Sequence, residues 1–233
     1  MTGLRYVYAI CRPYGTPLQA QLTGVAGDPP RLLPHHGLMA VVSHVPEADF
    51  AEEPFPTRRE DPDWLTAVAR AHQGVVDALT TVTTPLPLRL GSVFPDDSGV
   101  RTMMEAREEH FLRTLDRLEG RVEWGVRVFV EEPAETSAAP PVSPQQAEAL
   151  ANRLFETLAG YAEDSRPRAS RNPALLVEDR TPGHNVLDAA FLVPRAESEK
   201  FVERVERAKG AVPGIRVELA GPWAAYSFTG EGA

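Results

Sequence analysis

Two groups of carboxylates stand out in this 233-residue chain: Asp96 with Asp97, and Glu105 with Glu108 and Glu109. Paired acids supply general acid and base catalysis when their surroundings split their pKa values. Both groups fall at the start or on the face of a helical pattern, where solvated faces and caps carry such charges routinely, so they read as capping and surface residues. The six histidines offer a second chemistry, metal binding. His35 and His36 are adjacent in a loop, a poor geometry for joint chelation, and His110 lacks an acid three residues earlier because Arg107 stands there. Cys11 has no cysteine neighbour with which to hold zinc. The phosphate-loop, dinucleotide, nucleophile-elbow and zinc-protease patterns GxxxxGK[ST], GxGxxG, GxSxG and HExxH are all missing. No catalytic residue, metal or cofactor is therefore assigned, and the chain reads as a non-enzyme.

Two further residues keep two readings each. His72 shares the apolar face of its helix with Val68, Val75 and Val76; it is either a satisfied, partly buried histidine or a proton-transfer group. Arg89 points to the opposite side of its strand from Leu88 and Leu90. It either pairs with a helix carboxylate such as Glu105 or Glu109, or grips the acid of a partner. The Met103–Met104 pair reads as core.

Composition narrows the partners. The net charge is −9 and no Lys/Arg cluster occurs, so nothing prepares a surface for phosphate backbones, and nucleic acid is excluded as an expected partner. A single cysteine cannot form an internal disulfide, which suits a reducing compartment. No leader-like segment or run of 18 apolar residues is found, so neither a signal peptide nor a membrane span is expected and the location is read as cytoplasmic.

The elements that must position these residues are legible from periodicity. "LRYVYAIC" and "LMAVVSHV" read as interior strands. "DPDWLTAVARAHQGVVDAL" is an amphipathic helix with Asp61 at its N-cap and Pro62 in its first turn. "PLPLRLGSVF" reads as one strand, and "SGVRTMMEAREEHFLRTLDRLEG" as one longer helix closed by Gly120. "RVEWGVRVFV" alternates over its whole length, the clearest strand in the chain. Ser143 and Gln146 form a capping box for a helix that ends at Gly160. "NVLDAAFLV" and "GIRVELAG" are strands flanking the helix "ESEKFVERVERAKG", and one or two short strands are expected near Pro173. Residues 46–60 read as an irregular acidic loop.

This order mixes strands and helices without strict alternation. It predicts an α+β protein of two domains, with mostly antiparallel sheets, helices packed on one face and ferredoxin-like character. The Pro/Ala-rich stretch at 133–143 is taken as the linker between an N-terminal domain (1–132) and a C-terminal domain (144–233) with an aromatic end.

"YVYAI", "GLMAVVSHV", "WLTAVARAHQGVV", "PLPLRLGSVF", "EWGVRVFV" and "GPWAAYSF", in that order, resemble the gas vesicle protein F/L family across nearly the whole chain. The chain departs from the family pattern in three mild ways: Arg89-Leu90-Gly91-Ser92 replaces Arg-Phe-Gly-Thr, His72-Gln73 replaces His-Glu, and Ala224-Ala225-Tyr226 replaces Pro-Pro-Tyr. It also lacks the longer charged helical insertion that many members carry after the "EWGV" strand. The resemblance implies two α+β domains and a minor gas vesicle protein needed for vesicle assembly. It further implies, as partners, the major gas vesicle shell protein and other gas vesicle accessory proteins, and a place at the gas vesicle in the cytoplasm. Trp223, Tyr226 and Phe228 near the chain end are expected at the seam with the N-terminal domain or, alternatively, in an aromatic patch offered to the shell protein. The competing reading is a small-molecule-binding regulator or enzyme on ferredoxin-like domains, with a cleft around Arg89, His72 and Arg127.

Overall fold

The computed structural model describes residues 3–15, 22–131, 142–168 and 183–230. It divides the chain into two compact units, one of residues 1–119 with 224–233, the other of residues 120–223.

Unit 1 is organised by β1 (Leu4–Cys11), which pairs with β3 (Leu38–Val45), with the two-residue strands β4 (Leu86–Pro87) and β5 (Val93–Phe94), and through β3 with β2 (Arg31–His35). Every pairing is antiparallel. Apart from Arg5, β1 is apolar on both sides because both sides are covered. Tyr6 and Tyr8 pack with Val68, Val75, Val76 and Leu79 of α3 (Pro62–Thr80), while Val7 and Ile10 pack with Val100 and Met104 of α4 (Asp97–Ala106) and with Phe111 and Leu115 of α5 (Glu108–Leu118). A register shift between Val7 and Ala9 places Tyr8 and Ala9 in the same cluster. Two further short helices, α1 (Glu47–Phe50) and α2 (Phe55–Arg58), occupy what the sequence reads as loop.

The α3 start is as the sequence implies: the Asp61 carboxylate accepts from the amides of Asp63 and Trp64, and Pro62 needs no amide partner. The expected single long helix is instead two, broken at Arg107 (φ −123°, ψ 14°). Apolar spacing runs through the break without a signal, since Arg107 keeps its guanidinium 5.1 Å from the Phe111 ring.

Unit 2 runs β6 (Arg121–Val130), α6 (Pro144–Ala159), β7 (Asp164–Pro167), β8 (His184–Pro194), α7 (Ser198–Ala208) and β9 (Ile215–Trp223), with strand order β7-β8-β6-β9, all antiparallel. That βαββαβ order is the ferredoxin-like arrangement. Val122, Trp124, Val126 and Val128 of β6 pack with Ala147 and Leu158 of α6 and Phe201 and Val205 of α7. The predicted capping box of α6 is formed, with Ser143 and Gln146 bonding reciprocally.

Fold class stands as expected, α+β in two units. The helices lie on one face in unit 2, whereas unit 1 adds a second helical layer on the other face of its sheet.

The division falls elsewhere than at 133–143. β6 belongs with the second unit because its ladder partners are β8 and β9, and the last residues return to unit 1. Most of the linker, and the strands expected near Pro173, lie outside the described residues. β9 also runs through Pro222 to Trp223 rather than stopping at Gly221. The ladder is irregular there: Gly125 faces Ala220 and Glu123 faces Trp223, so the proline sits where no regular ladder bond is required.

Candidate interaction sites

His72 is buried at 3% exposure on α3, ringed by Tyr6, Tyr8 and Tyr226 with centroids 5.6–6.1 Å away. Its protonation pattern follows from its partners. The Gly91 amide donates to the Tyr6 hydroxyl oxygen at 3.2 Å, so the Tyr6 hydroxyl proton is free to go to His72 Nδ1, 2.9 Å away. Nδ1 is then the acceptor and Nε2 carries the hydrogen. Nε2 is buried with no hydrogen-bond partner among the described residues. Burial without a charge partner lowers the His72 pKa to about 4, and burial raises that of Tyr6. His72 is therefore a neutral interior group.

The same network fixes the turn that carries Arg89. The expected strand at 85–94 is split into β4 and β5, and residues 89–92 turn between them. Ser92 donates to the Arg89 carbonyl from both its amide (3.1 Å) and its hydroxyl (2.8 Å). Gly91 adopts φ +85°, and the Phe55 ring lies against the place where a Cβ would stand. Arg89 itself is exposed and has no ion-pair partner among the described residues, so the expected bridge to Glu105 or Glu109 is not formed.

The chain end divides its aromatics between the units. Phe228 is fully buried and Tyr226 packs against the core that contains His72, both within unit 1. Trp223 belongs to unit 2, where the Arg168 guanidinium lies 5.5 Å from its ring. Within unit 1 the structure thus brings His72, Tyr226 and, through Tyr6, the Arg89 turn together, while Trp223 is a residue of unit 2.

Arg127 is held by Glu218 at 3.1 Å on the face of the second sheet away from α6 and α7. A residue that sequence reading passed over lies on that face as well. Glu123 is 2% exposed and bonded to Arg168. The signal was available: an acid flanked by Val122 and Trp124 in the clearest strand of the chain needs a cation if its face is covered. Asp97, read from the sequence as a capping or surface residue, accepts from Arg5 at 2.5 Å and from Arg31. Burial works against its charge, yet the hydrogen bonds from the two arginines hold its pKa below the ordinary carboxylate range.

Among the described residues no group of three His, Cys, Asp or Glu side chains is placed to hold a metal ion. His35 and His36 stack at 4.0 Å instead of converging, and burial pushes the Cys11 thiol up to about 12, so no thiolate forms near neutrality. No helix among the described residues is long and apolar enough to cross a membrane.

The family described as "Gas vesicle synthesis protein GvpL/GvpF" matches residues 4–145 and 141–230. The chain is 46% identical to Gas vesicle protein L of Streptomyces sp. (strain CB03234), over 97% of this chain and 93% of that protein. It is 29% identical to Gas vesicle protein F of the same strain, over 96% and 98% of the two chains. Its fold matches the crystal structures of GvpF from Anabaena sp. PCC7120 (TM-score 0.72, 18% identity, 99% and 98% coverage) and from Microcystis aeruginosa (TM-score 0.69, 18% identity, 99% and 100% coverage). Sequence and fold agree along nearly the full length, and the chain belongs to the gas vesicle synthesis protein GvpL/GvpF family.

Proposed function

We propose that this protein is a non-enzymatic minor component of the gas vesicle that binds the hydrophobic major shell protein during nucleation or assembly, alongside other accessory proteins at the vesicle in the cytoplasm. Its role in gas vesicle assembly follows from its family, and the single observation behind the finer reading is that relationship, held over both units at 46% identity to a gas vesicle protein L. The physical rationale is that a shell subunit facing gas carries apolar surface that aggregates in water, and an acidic companion keeps it dispersed until it is incorporated.

Two features favour this over a small-molecule enzyme or regulator. His72 is closed off by three tyrosines, and Arg127 is committed to Glu218. Among the described residues only Val82 and Tyr161 are large apolar side chains with substantial exposure, so contact with the shell protein uses grooves and charged rims rather than a greasy patch.

Co-expression with the major shell protein, followed by affinity capture and sedimentation, tests the reading. Capture and a smaller pelleted fraction are expected. No capture and an unchanged pellet overturn it.

A further inference from the structure

A groove of about 660 Å³ opens along one stripe of α7, lined by Trp124 from β6 and by Ser198, Glu199, Val202, Glu203 and Glu206. That volume suits one long side chain and its neighbours. The Trp124 indole N–H donates to Ser198 Oγ at 3.2 Å, which fixes the ring. With that donor satisfied and the residue 8% exposed, what Trp124 offers the groove is apolar and aromatic surface, next to Val202. The rim is charged and of one dominant sign. Glu199, Glu203 and Glu206 stand against Arg207, which bonds Glu203 at 3.1 Å, while Lys209 bonds Glu206 at 2.5 Å. Glu199 has no ion-pair partner among the described residues.

We propose that this groove docks a basic, amphipathic segment of a partner protein. An arginine or lysine stem lies along Val202 and the Trp124 edge, and its cation meets Glu199 and displaces the exposed Arg207 from Glu203. The chemistry is complementary on both counts. The stem of a long basic side chain covers the apolar surface of Val202 and Trp124 while its head remains at the rim, where the glutamates meet it. The existing ion pairs are solvent-exposed, so exchanging them for an intermolecular one costs little. The proposal rests on the assembly reading above only for the identity of the partner; the chemistry of the groove stands by itself.

The test uses the full chain and two synthetic helical peptides, one of leucine and lysine, the other of leucine and glutamate. The lysine peptide is expected to shift the Trp124 indole resonance and to spare those of Trp64 and Trp223. Glu199→Lys with Glu203→Lys is expected to weaken binding at least tenfold, whereas Glu52→Lys with Glu53→Lys, in unit 1, leaves it unchanged. The proposal is overturned by equal binding of both peptides, by equal weakening from both pairs of substitutions, or by shifts confined to the other tryptophans. Capture of the major shell protein by the same variants separates this proposal from the functional one. If the wild type and the Glu199/Glu203 variant capture it equally, the groove is not its docking site and the assembly reading stands. If neither captures it while the lysine peptide still binds at Trp124, the assembly reading falls and the groove stands.

Discussion

The sheet of unit 1 has helices on both faces and hides polar groups that are neutral, whereas unit 2 has its helices on one face and places charges on the other. In unit 1 the interior polar centre is His72 with Tyr6, each uncharged near neutrality because burial disfavours the ion. In unit 2 the most buried polar centre is the ion pair of Glu123 with Arg168. The difference follows from layering. The middle of a strand covered on both sides, where Tyr6 stands, has no route to solvent for a charged head, whereas the outer face of a two-layer unit lets a guanidinium lie over Trp223 and reach a carboxylate.

Removing large core side chains probes that comparison most strongly. Phe111→Ala and Phe201→Ala, each fully buried, are expected to cost ~3–5 kcal/mol apiece. Hydrogen exchange should show the loss of protection in α4, α5 and β1 for the first and in α6, α7 and β8 for the second. Equal loss throughout the chain for both would mean that the two units have no separate energetic existence. Phe228→Ala belongs to the same experiment, and its loss should appear in unit 1 although nearly the whole of unit 2 separates it from α5 in sequence.

Breaking the charged pair comes next. Arg168→Met, which takes the guanidinium away from the buried Glu123 carboxylate, is expected to cost ~3 kcal/mol in chemical denaturation, with most of it restored by adding Glu123→Leu. If the double variant is as unstable as the single one, the cost is lost packing rather than stranded charge.

His72 yields a pH effect of opposite origin. The unfolded chain protonates this ring near 6.5, whereas the folded chain holds the proton off until about 4. Between these values the unfolded state binds more protons, so stability is complete above about 6.5 and declines as pH falls to about 4, by ~3 kcal/mol in all. His72→Gln should be less stable than the wild type by ~1 kcal/mol at pH 7, from the lost Tyr6 bond, and the gap should close or reverse by pH 4. A constant gap across that range would show that His72 does not titrate between the two states.

The smallest effects lie at the helix starts. Asp61→Ala on α3 and Ser143→Ala on α6 should each lower thermal stability by ~1 kcal/mol, the second slightly more because the reciprocal Gln146 bond is lost as well. No change on either substitution would mean that neighbouring packing, not the cap, sets the helix start.

How far the sequence could be read differs by element. The long elements announced themselves: β6 by strict alternation, α3 by its cap and spacing, α6 by its capping box. The short ones did not. Nothing in "RLLPH" marks β2, since a five-residue strand with an internal proline reads as loop until β3 is there to pair with it. The break at Arg107 is also silent, because the apolar spacing is the same on both sides of it.

The candidate site residues divide in the same way. His72 lay on a legible apolar helix face and is where that face implied. Arg89 depended on a turn that the Ser92 bonds, the Tyr6 hydroxyl and the Phe55 ring define, so its lack of an ion-pair partner among the described residues was not readable.

By itself the sequence determined the α+β class, the long helices and strands, and the family, because hydrophobic period, caps and the ordered set of motifs are local properties of the chain. Only the tertiary structure decided where the units divide, that β6 belongs with the second sheet and that the last residues return to the first. Those outcomes depend on which distant strand supplies a hydrogen-bond ladder and which distant core accepts Phe228, and no local pattern encodes either choice.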